Sequence, residues 1–310
     1  MKHLTKLNLL FFTLSLSIFA AEKKENPYEL MICDYVKFDI SRVNKAGEIT
    51  WKHKPPSHVW DFVLTKDNDI VFPIITKHFE VRCMDMQKNI KWSWKYRKEY
   101  QEIINITQSK SEFIISGQKP SEAVFIDTKG KIQHKVDIPT NFNSKHGELG
   151  SIYALENGNL LAQLWGEGSA IEVDKDGKEV WRYKVGKGIA GSVQDVLRLK
   201  NGNTMIACGT TTRIIEVNPK KEIVWEFKKT DYPELNMTNA CGLQLLKDGS
   251  IFVTNFLRSS QGKGAHAFIL SKEDRKVTWT FKDHKNFKAA SRIFAIEILG
   301  YEVRNSLGAD

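Results

Sequence analysis

The sequence predicts an all-β fold: a six-bladed β-propeller of four-stranded antiparallel blades. Three observations predict it. A turn-and-aromatic pattern recurs five times along the chain. The segments inside each recurrence are short, rich in Val, Ile, Leu and aromatic residues, and bounded by Gly, Asn, Asp or Pro, which is strand punctuation. The two chain ends carry complementary parts of a sixth unit. Repeats of roughly 40 to 50 residues with four strands each indicate a propeller, and 310 residues suit a single such domain.

The units follow in order. Asp67-Asn68-Asp69 precedes Trp92, and Lys110-Ser111-Glu112 precedes His134, the weakest copy. Asn157-Gly158-Asn159 precedes Trp181, Asn201-Gly202-Asn203 precedes Trp225, and Asp248-Gly249-Ser250 precedes Trp279. From turn centre to aromatic the intervals are 24, 23, 23, 23 and 30 residues, the last lengthened by the Gly/Ser-rich SSQGKGA. In the fourth unit the strands read VQDVLRL, TMIACG, RIIEVN and EIVWEF. At the N-terminal end, ELMICDY, VKFDISRV and EITWKH match second, third and fourth strands, with Trp51 in the aromatic place. The missing first strand is RIFAIEIL, Arg292 to Leu299. Pairing the ends in one blade closes the ring and removes the free sheet edges of an open array. Trp51, Trp92, Trp181, Trp225 and Trp279 are expected to pack against the next blade.

Ahead of the repeats, Lys2 and Lys6 introduce the apolar run LNLLFFTLSLSIF, followed by Ala20-Ala21. This is the layout of a secretory signal peptide cleaved after Ala20. The run is too short for a spanning helix, which takes roughly 20 apolar residues. The chain therefore divides into a signal peptide at 1–20, a linker at 21–29, the propeller at 30–301 and a tail at 302–310. The expected protein is exported, periplasmic or secreted, with no transmembrane segment after cleavage, and monomeric. The net charge of +9 is spread among acidic residues rather than clustered, which argues against nucleic-acid binding. The four cysteines permit three complete pairings in an oxidising compartment. Cys208 ends a second strand and Cys241 begins the next unit's first strand on the same face, making them the candidate disulfide. No CxxC pair supports structural zinc.

The run GSVQDVLRLKNGNTMIACGTTTRIIEVNPKKEIVWEF resembles a repeat of the bacterial arylsulfotransferase-like propellers, and IEVDKDGKEVWRY resembles the tryptophan-containing repeat of the pyrroloquinoline-quinone-like propellers. The resemblance covers most of residues 30–300 as architecture and implies an exported propeller. Arylsulfotransferases use an axial His nucleophile and carry an additional N-terminal β domain, for which the roughly ten residues between signal and first strand leave no room. Quinone-dependent dehydrogenases carry calcium and quinone ligands, and no motif for either is located here. The cofactor is therefore unassigned.

Strand order decides which loops share a face. Loops joining strands one–two and three–four lie on a first face and read as tight turns. Loops joining strands two–three, and each blade to the next, lie on a second face. They include HKPPSH, IPTNFNSKHGE, KKTDYPELNMTN and KDHKNFKA. Mature histidines other than His134, namely His53, His58, His78, His146, His266 and His284, fall on or beside this second face. Counting seven residues back from each turn centre gives Asp61, Ile104, Ser151, Asp195 and Gly242, with Arg292 close to the equivalent place, as an axial set. Asp61 and Asp195 belong to units three apart and would face each other across the axis.

The reading that follows is a binding module for a small polar ligand, a glycan or a protein partner, with Asp61, Ser151, Asp195, Arg213, Asn239 and Arg292 as candidate ligand residues. A group-transfer enzyme is the second reading, with His58, His146, His266 or His284 as nucleophile and Arg213, Arg258, Asn239 or Arg292 as oxyanion donors. A metal-assisted variant would add Asp61, Glu148 or Asp195. An envelope scaffold is the third. Whether the protein is an enzyme stays open at this point.

Overall fold

The computed structural model describes residues 25–74, 80–96, 102–110, 112–142 and 149–295. The expected signal peptide at 1–20, the expected tail at 302–310, His78, His146, Glu148 and the side chain of Arg258 lie outside the described residues.

Blade one begins with β1 (Leu30–Asp34), β2 (Asp39–Val43) and β3 (Ile49–His53). Blade two holds β4 (Val63–Leu64), β5 (Ile70–Ile74), β6 (Glu80–Met84) and β7 (Ile90–Lys95). Blade three holds β8 (Glu102–Ser109), β9 (Glu112–Gln118), β10 (Glu122–Asp127) and β11 (Ile132–Asp137). Blade four holds β12 (Ile152–Ala154), β13 (Leu160–Leu164), β14 (Ser169–Val173) and β15 (Glu179–Lys184). Blade five holds β16 (Asp195–Arg198), β17 (Thr204–Cys208), β18 (Arg213–Val217) and β19 (Ile223–Lys228). Blade six holds β20 (Ala240–Leu245), β21 (Ile251–Asn255), β22 (Ala267–Leu270) and β23 (Val277–Phe281). The last described strand, β24 (Ala290–Ala295), returns to blade one and pairs antiparallel with β1, Leu30 opposite Ala295 and Cys33 opposite Arg292. The result is six antiparallel four-stranded sheets, closed by the two chain ends as the sequence predicts.

The middle strands are buried throughout, as in LLAQL of β13 and IFVTN of β21, because both of their faces pack on neighbouring blades. The outermost strands alternate between half-buried and exposed positions, as in β3 and β7, since one side meets water. Each seam between adjacent blades is an apolar cluster. Blades five and six, for example, share Leu197, Met205, Phe227, Leu243, Val253 and Phe268. Trp225 is half-buried against that seam and donates its indole N–H to the Lys272 carbonyl in blade six at 3.0 Å. Trp51 does the same to Met86 of blade two at 2.7 Å, and Trp92, Trp181 and Trp279 pack on their own seams.

A β-bulge recurs at one place in every blade. The pairing of third and fourth strands slips by one residue beside the repeated aromatic: Glu216 faces Trp225 but Val217 faces Ile223, and Glu172 faces Trp181 but Val173 faces Glu179. In blade three the same slip puts His134 in the aromatic place, stacked on Phe125 at 4.0 Å between ring centroids. A bulge increases local twist, and the extra residues Val180 and Val224 are turned out to solvent.

The expected Cys208–Cys241 disulfide is not formed. All four cysteines are buried free thiols. Cys208 points into the seam between blades four and five, whereas Cys241 packs with Phe256 and Ala289 on the opposite side of its blade and donates to the Ser291 carbonyl at 3.2 Å. Strand ends on one face can neighbour each other while their side chains diverge. Burial raises the thiol pKa of Cys208 and Cys241 to about 12, which keeps them protonated and unreactive.

Candidate functional site

Three of the axial residues named from the sequence, Asp61, Ser151 and Asp195, meet around the guanidinium of a fourth, Arg292. Arg292 lies on β24, the inner strand of blade one, and is wholly buried. Its Nε and Nη2 grip Asp61 of the blade-two entry at 3.0 and 3.2 Å. Its Nη1 reaches Asp195 of blade five at 2.9 Å and the Cys241 carbonyl of blade six at 2.7 Å. Nη2 also donates to Ser151 Oγ, at the entry to blade four, at 3.2 Å. Blade three joins through Asn105, whose Nδ2 lies 3.3 Å from Asp61 Oδ2 and 3.4 Å from Ser151 Oγ. One side chain is thus bonded, directly or through one residue, to every blade.

Local sequence explains the convergence. Each residue lies just before the inner strand of its blade or in its second-face half. Gly242 holds the place in blade six because a Cβ there would stand 2.9 Å from Arg292 Nη1. The blade-three residue is Asn105 rather than the Ile104 counted from the turn, because the β8–β9 pairing slips between Ile103 and Ile106. Both carboxylates are further satisfied: Asp195 accepts from Tyr153 Oη at 2.6 Å and from the Leu243 and Val196 amides at 3.0 Å, and Asp61 from the Phe62 amide at 3.0 Å. Burial works against the Arg292 charge, but Asp61 and Asp195 outweigh it and move its pKa upward. The arrangement bonds within itself, and Asp61, Ser151, Asp195 and Arg292 are all buried. It closes the axial channel at this depth.

Above this plug, on the second face, lies a mouth of different character. Trp60 precedes Asp61 directly, and its half-buried ring packs edge-on against Phe256 at 5.0 Å, with Tyr35 against both at 5.5 and 6.0 Å. His58 rests between Tyr35 at 4.7 Å and Phe38 at 3.9 Å. The Phe256 amide donates to the Asn239 carbonyl at 2.8 Å, which ties this aromatic group to blade five's exit. Asn239 Oδ1 is buried with no hydrogen-bond partner among the described residues, and so is Ser192 Oγ, on a residue 1% exposed. Gly209 makes room beside Asn239: a Cβ there would meet Gln194 Cγ at 2.2 Å and Asn239 Oδ1 at 2.4 Å. Buried polar groups without partners are rare in folded proteins and mark a place for water or ligand.

The other candidates do not join this aromatic group. Arg213 pairs with Glu226 at 2.9 Å on the outer part of blade five. His266 is fully buried beside His284, ring centroids 4.6 Å apart. Burial and then His284 lower the His266 pKa to about 4. His284 Nε2 contacts the Gly264 carbonyl at 3.0 Å, while His266 Nε2 and His284 Nδ1 lack partners among the described residues. Among those residues no group of three or more His, Cys, Asp or Glu side chains is arranged to hold a metal. The partners of Arg292 named above are carboxylates, a hydroxyl and a carbonyl. A groove of about 320 Å³ lies away from the axis, lined by Ile223, Val224, Trp225, Glu226, Lys228, Asp231 and Arg275.

Sequence counting missed Trp60, Tyr35, Phe256 and Ser192. Trp60 carried a signal, since it stands one residue before an axial position. Tyr35 and Phe256 reach the axis from loops, where spacing carries no direction.

The chain matches no family model and no curated protein, so the resemblance to arylsulfotransferase-like and pyrroloquinoline-quinone-like repeats is supported as far as the propeller fold. Among solved structures, a protein of unknown function from Bacteroides caccae is similar at TM-score 0.74 and 19% identity, over 86% of this chain and 98% of that one. A streptogramin B lyase is similar at TM-score 0.59 and 14% identity, over 86% of each chain. A catalytically inactive virginiamycin B lyase from Staphylococcus aureus, with quinupristin, is similar at TM-score 0.59 and 14% identity, over 86% of this chain and 88% of that one. At these identities the likeness shows a shared fold, a β-propeller closed into a ring.

Proposed function

We propose that the protein is an exported binding module that takes a small polar ligand or glycan at the second-face mouth of its axis. One observation carries the reading: Asn239 Oδ1 and Ser192 Oγ are buried without partners, beside half-buried aromatic rings, over an ion cluster already satisfied from within. Pockets that bind small molecules combine apolar rings with a few placed polar groups, and the mouth has both. The plug beneath it then acts as a rigid floor rather than as a ligand-binding group.

The group-transfer reading needs a histidine beside a cationic group free to neutralise an oxyanion. Arg292 is engaged by two carboxylates, His266 is fully buried, and His284 Nε2 is turned onto the Gly264 carbonyl. The binding reading therefore accounts for more of the geometry. Export rests on the layout of residues 1–21, and its check is the mature N-terminus: a chain recovered outside the cytoplasm is expected to begin at Ala21.

A thermal-shift screen of the mature protein against monosaccharides, oligosaccharides, amino acids and nucleotides tests the binding reading. At least one compound is expected to raise the midpoint of the wild type but not of Asn239→Leu. A screen without any such compound would overturn it.

A further inference from the structure

We propose that the ligand of the mouth is an acidic saccharide, a sugar chain bearing carboxylate or sulfate groups. The proposal rests on the binding reading above and names its chemical class.

The connection from blade six to blade one runs along one side of the mouth and carries Lys282, Lys285 and Lys288, all exposed. Lys37 of the neighbouring β1–β2 loop reaches over it and donates to the carbonyls of Lys285 and Asn286. Ala289, the next residue, packs in the same cluster as Tyr35 and Trp60, so the lysines border the aromatic rings. Two carboxylates stand on this edge, and both are occupied within the loop. Asp34 accepts the amides of Val36, Lys37, Lys288 and Ala289. Asp283 accepts the amide and side chain of Asn286 at 3.0 and 2.8 Å. The four lysines form no salt bridge among the described residues. The edge therefore presents cations whose nearby acids are committed to shaping the loop, a surface complementary to an anion.

The chemistry beside it selects the rest of the ligand. A half-buried Trp–Tyr platform offers a flat apolar surface with polar edges, suited to the C–H face of a sugar ring. Asn239 Oδ1 and Ser192 Oγ, an acceptor and a donor–acceptor, match sugar hydroxyls. Rings alone would suit a neutral sugar and lysines alone any polyanion. Both on one mouth, with partnerless polar atoms on the connections into blades five and six, favour an acidic sugar.

Calorimetric titration of the full mature chain with an oligogalacturonate, a cello-oligosaccharide of equal length and phosphatidylglycerol-containing vesicles decides it. The oligogalacturonate is expected to bind, and its affinity to fall about tenfold as salt rises from about 50 to about 500 mM. The neutral oligosaccharide and the vesicles are expected not to bind. Trp60→Ala should abolish binding. Lys285→Ala with Lys288→Ala, both exposed and without folding cost, should weaken binding about tenfold and flatten its salt dependence. Equal binding of the neutral sugar overturns the acidic class while the binding module stands, and binding of vesicles alone also overturns it. If none of the three binds, the inference falls. A thermal-shift response to another compound class would then leave the binding reading intact, and the lack of one would remove both.

Discussion

At the scale of residues, Arg292 is the centre of the molecule. A buried guanidinium is costly to desolvate, and removing its partners or itself is costlier, because an uncompensated charge remains. Arg292→Met leaves Asp61 and Asp195 buried together without a cation. We expect a loss of about 3–5 kcal/mol in urea unfolding, partly recovered when both carboxylates are also changed to Asn. An unchanged unfolding midpoint for Arg292→Met would show that the cluster does not hold the ring. His266 gives a second prediction. Its pKa lies at about 4 in the fold against an ordinary 6.5, so the unfolded chain takes up a proton that the folded chain refuses. The stability from this group is complete above about pH 6.5 and declines as pH falls toward about 4, by at most about 3 kcal/mol. His266→Phe should flatten that part of the stability profile, read by unfolding at a series of pH values. At this scale the sequence placed Asp61, Ser151, Asp195 and Gly242 by counting back from turns, and Arg292 near the equivalent place in the split blade. It missed Asn105, because a pairing slip in β8 is a property of two strands together and leaves no mark on one.

At the scale of elements, the fourth strand and its aromatic bind each blade to the next. Trp225 contributes a seam contact and a hydrogen bond to Lys272. Below it, Asn201 and Asn203 of the blade-five turn hold Glu216 at 3.2 and 2.6 Å, and Glu216 pairs with Lys272 of blade six at 2.5 Å. The NGN turn is thus more than turn chemistry: its flanking asparagines position a carboxylate for the next blade. Blade four repeats the device, with Asn157 and Asn159 on Glu172 and Arg198 as the partner at 2.6 Å. Trp225→Ala is expected to cost about 3 kcal/mol and lower the thermal midpoint by several degrees, measured calorimetrically. Retention of the wild-type midpoint would exclude Trp225 from the seam. Periodicity identified these aromatics, but the bulge beside each was invisible to it, since alternation presumes unbroken pairing. The same presumption lay behind the Cys208–Cys241 pairing. The structure expects four thiols to react in denatured, unreduced protein, and thiol titration giving two would restore the disulfide.

At the scale of the whole molecule, closure depends on β24. That strand completes blade one, supplies Arg292, and brings Ser291 to the Trp60 carbonyl at 2.9 Å. A chain ending at Lys288 would lose the inner strand, the axial cation and the lysine-bearing edge's anchor together. We expect it to unfold without a cooperative transition, as judged by far-UV circular dichroism, whereas a closed ring lacking only the tail beyond 301 should melt cooperatively. Short-range order in the chain was enough to determine the number of blades, the pairing of the two ends and the division of loops between faces. Each follows from turns, strand lengths and repeats that span tens of residues. What the tertiary structure alone decided is which side chains meet: that the axial charges satisfy one another, that the cysteines diverge, and that Asn239, Ser192, Trp60 and the Lys282–Lys288 edge surround one mouth. Those outcomes depend on side-chain direction and on contacts between residues more than 200 positions apart, such as Ser291 with Trp60, which no local pattern encodes.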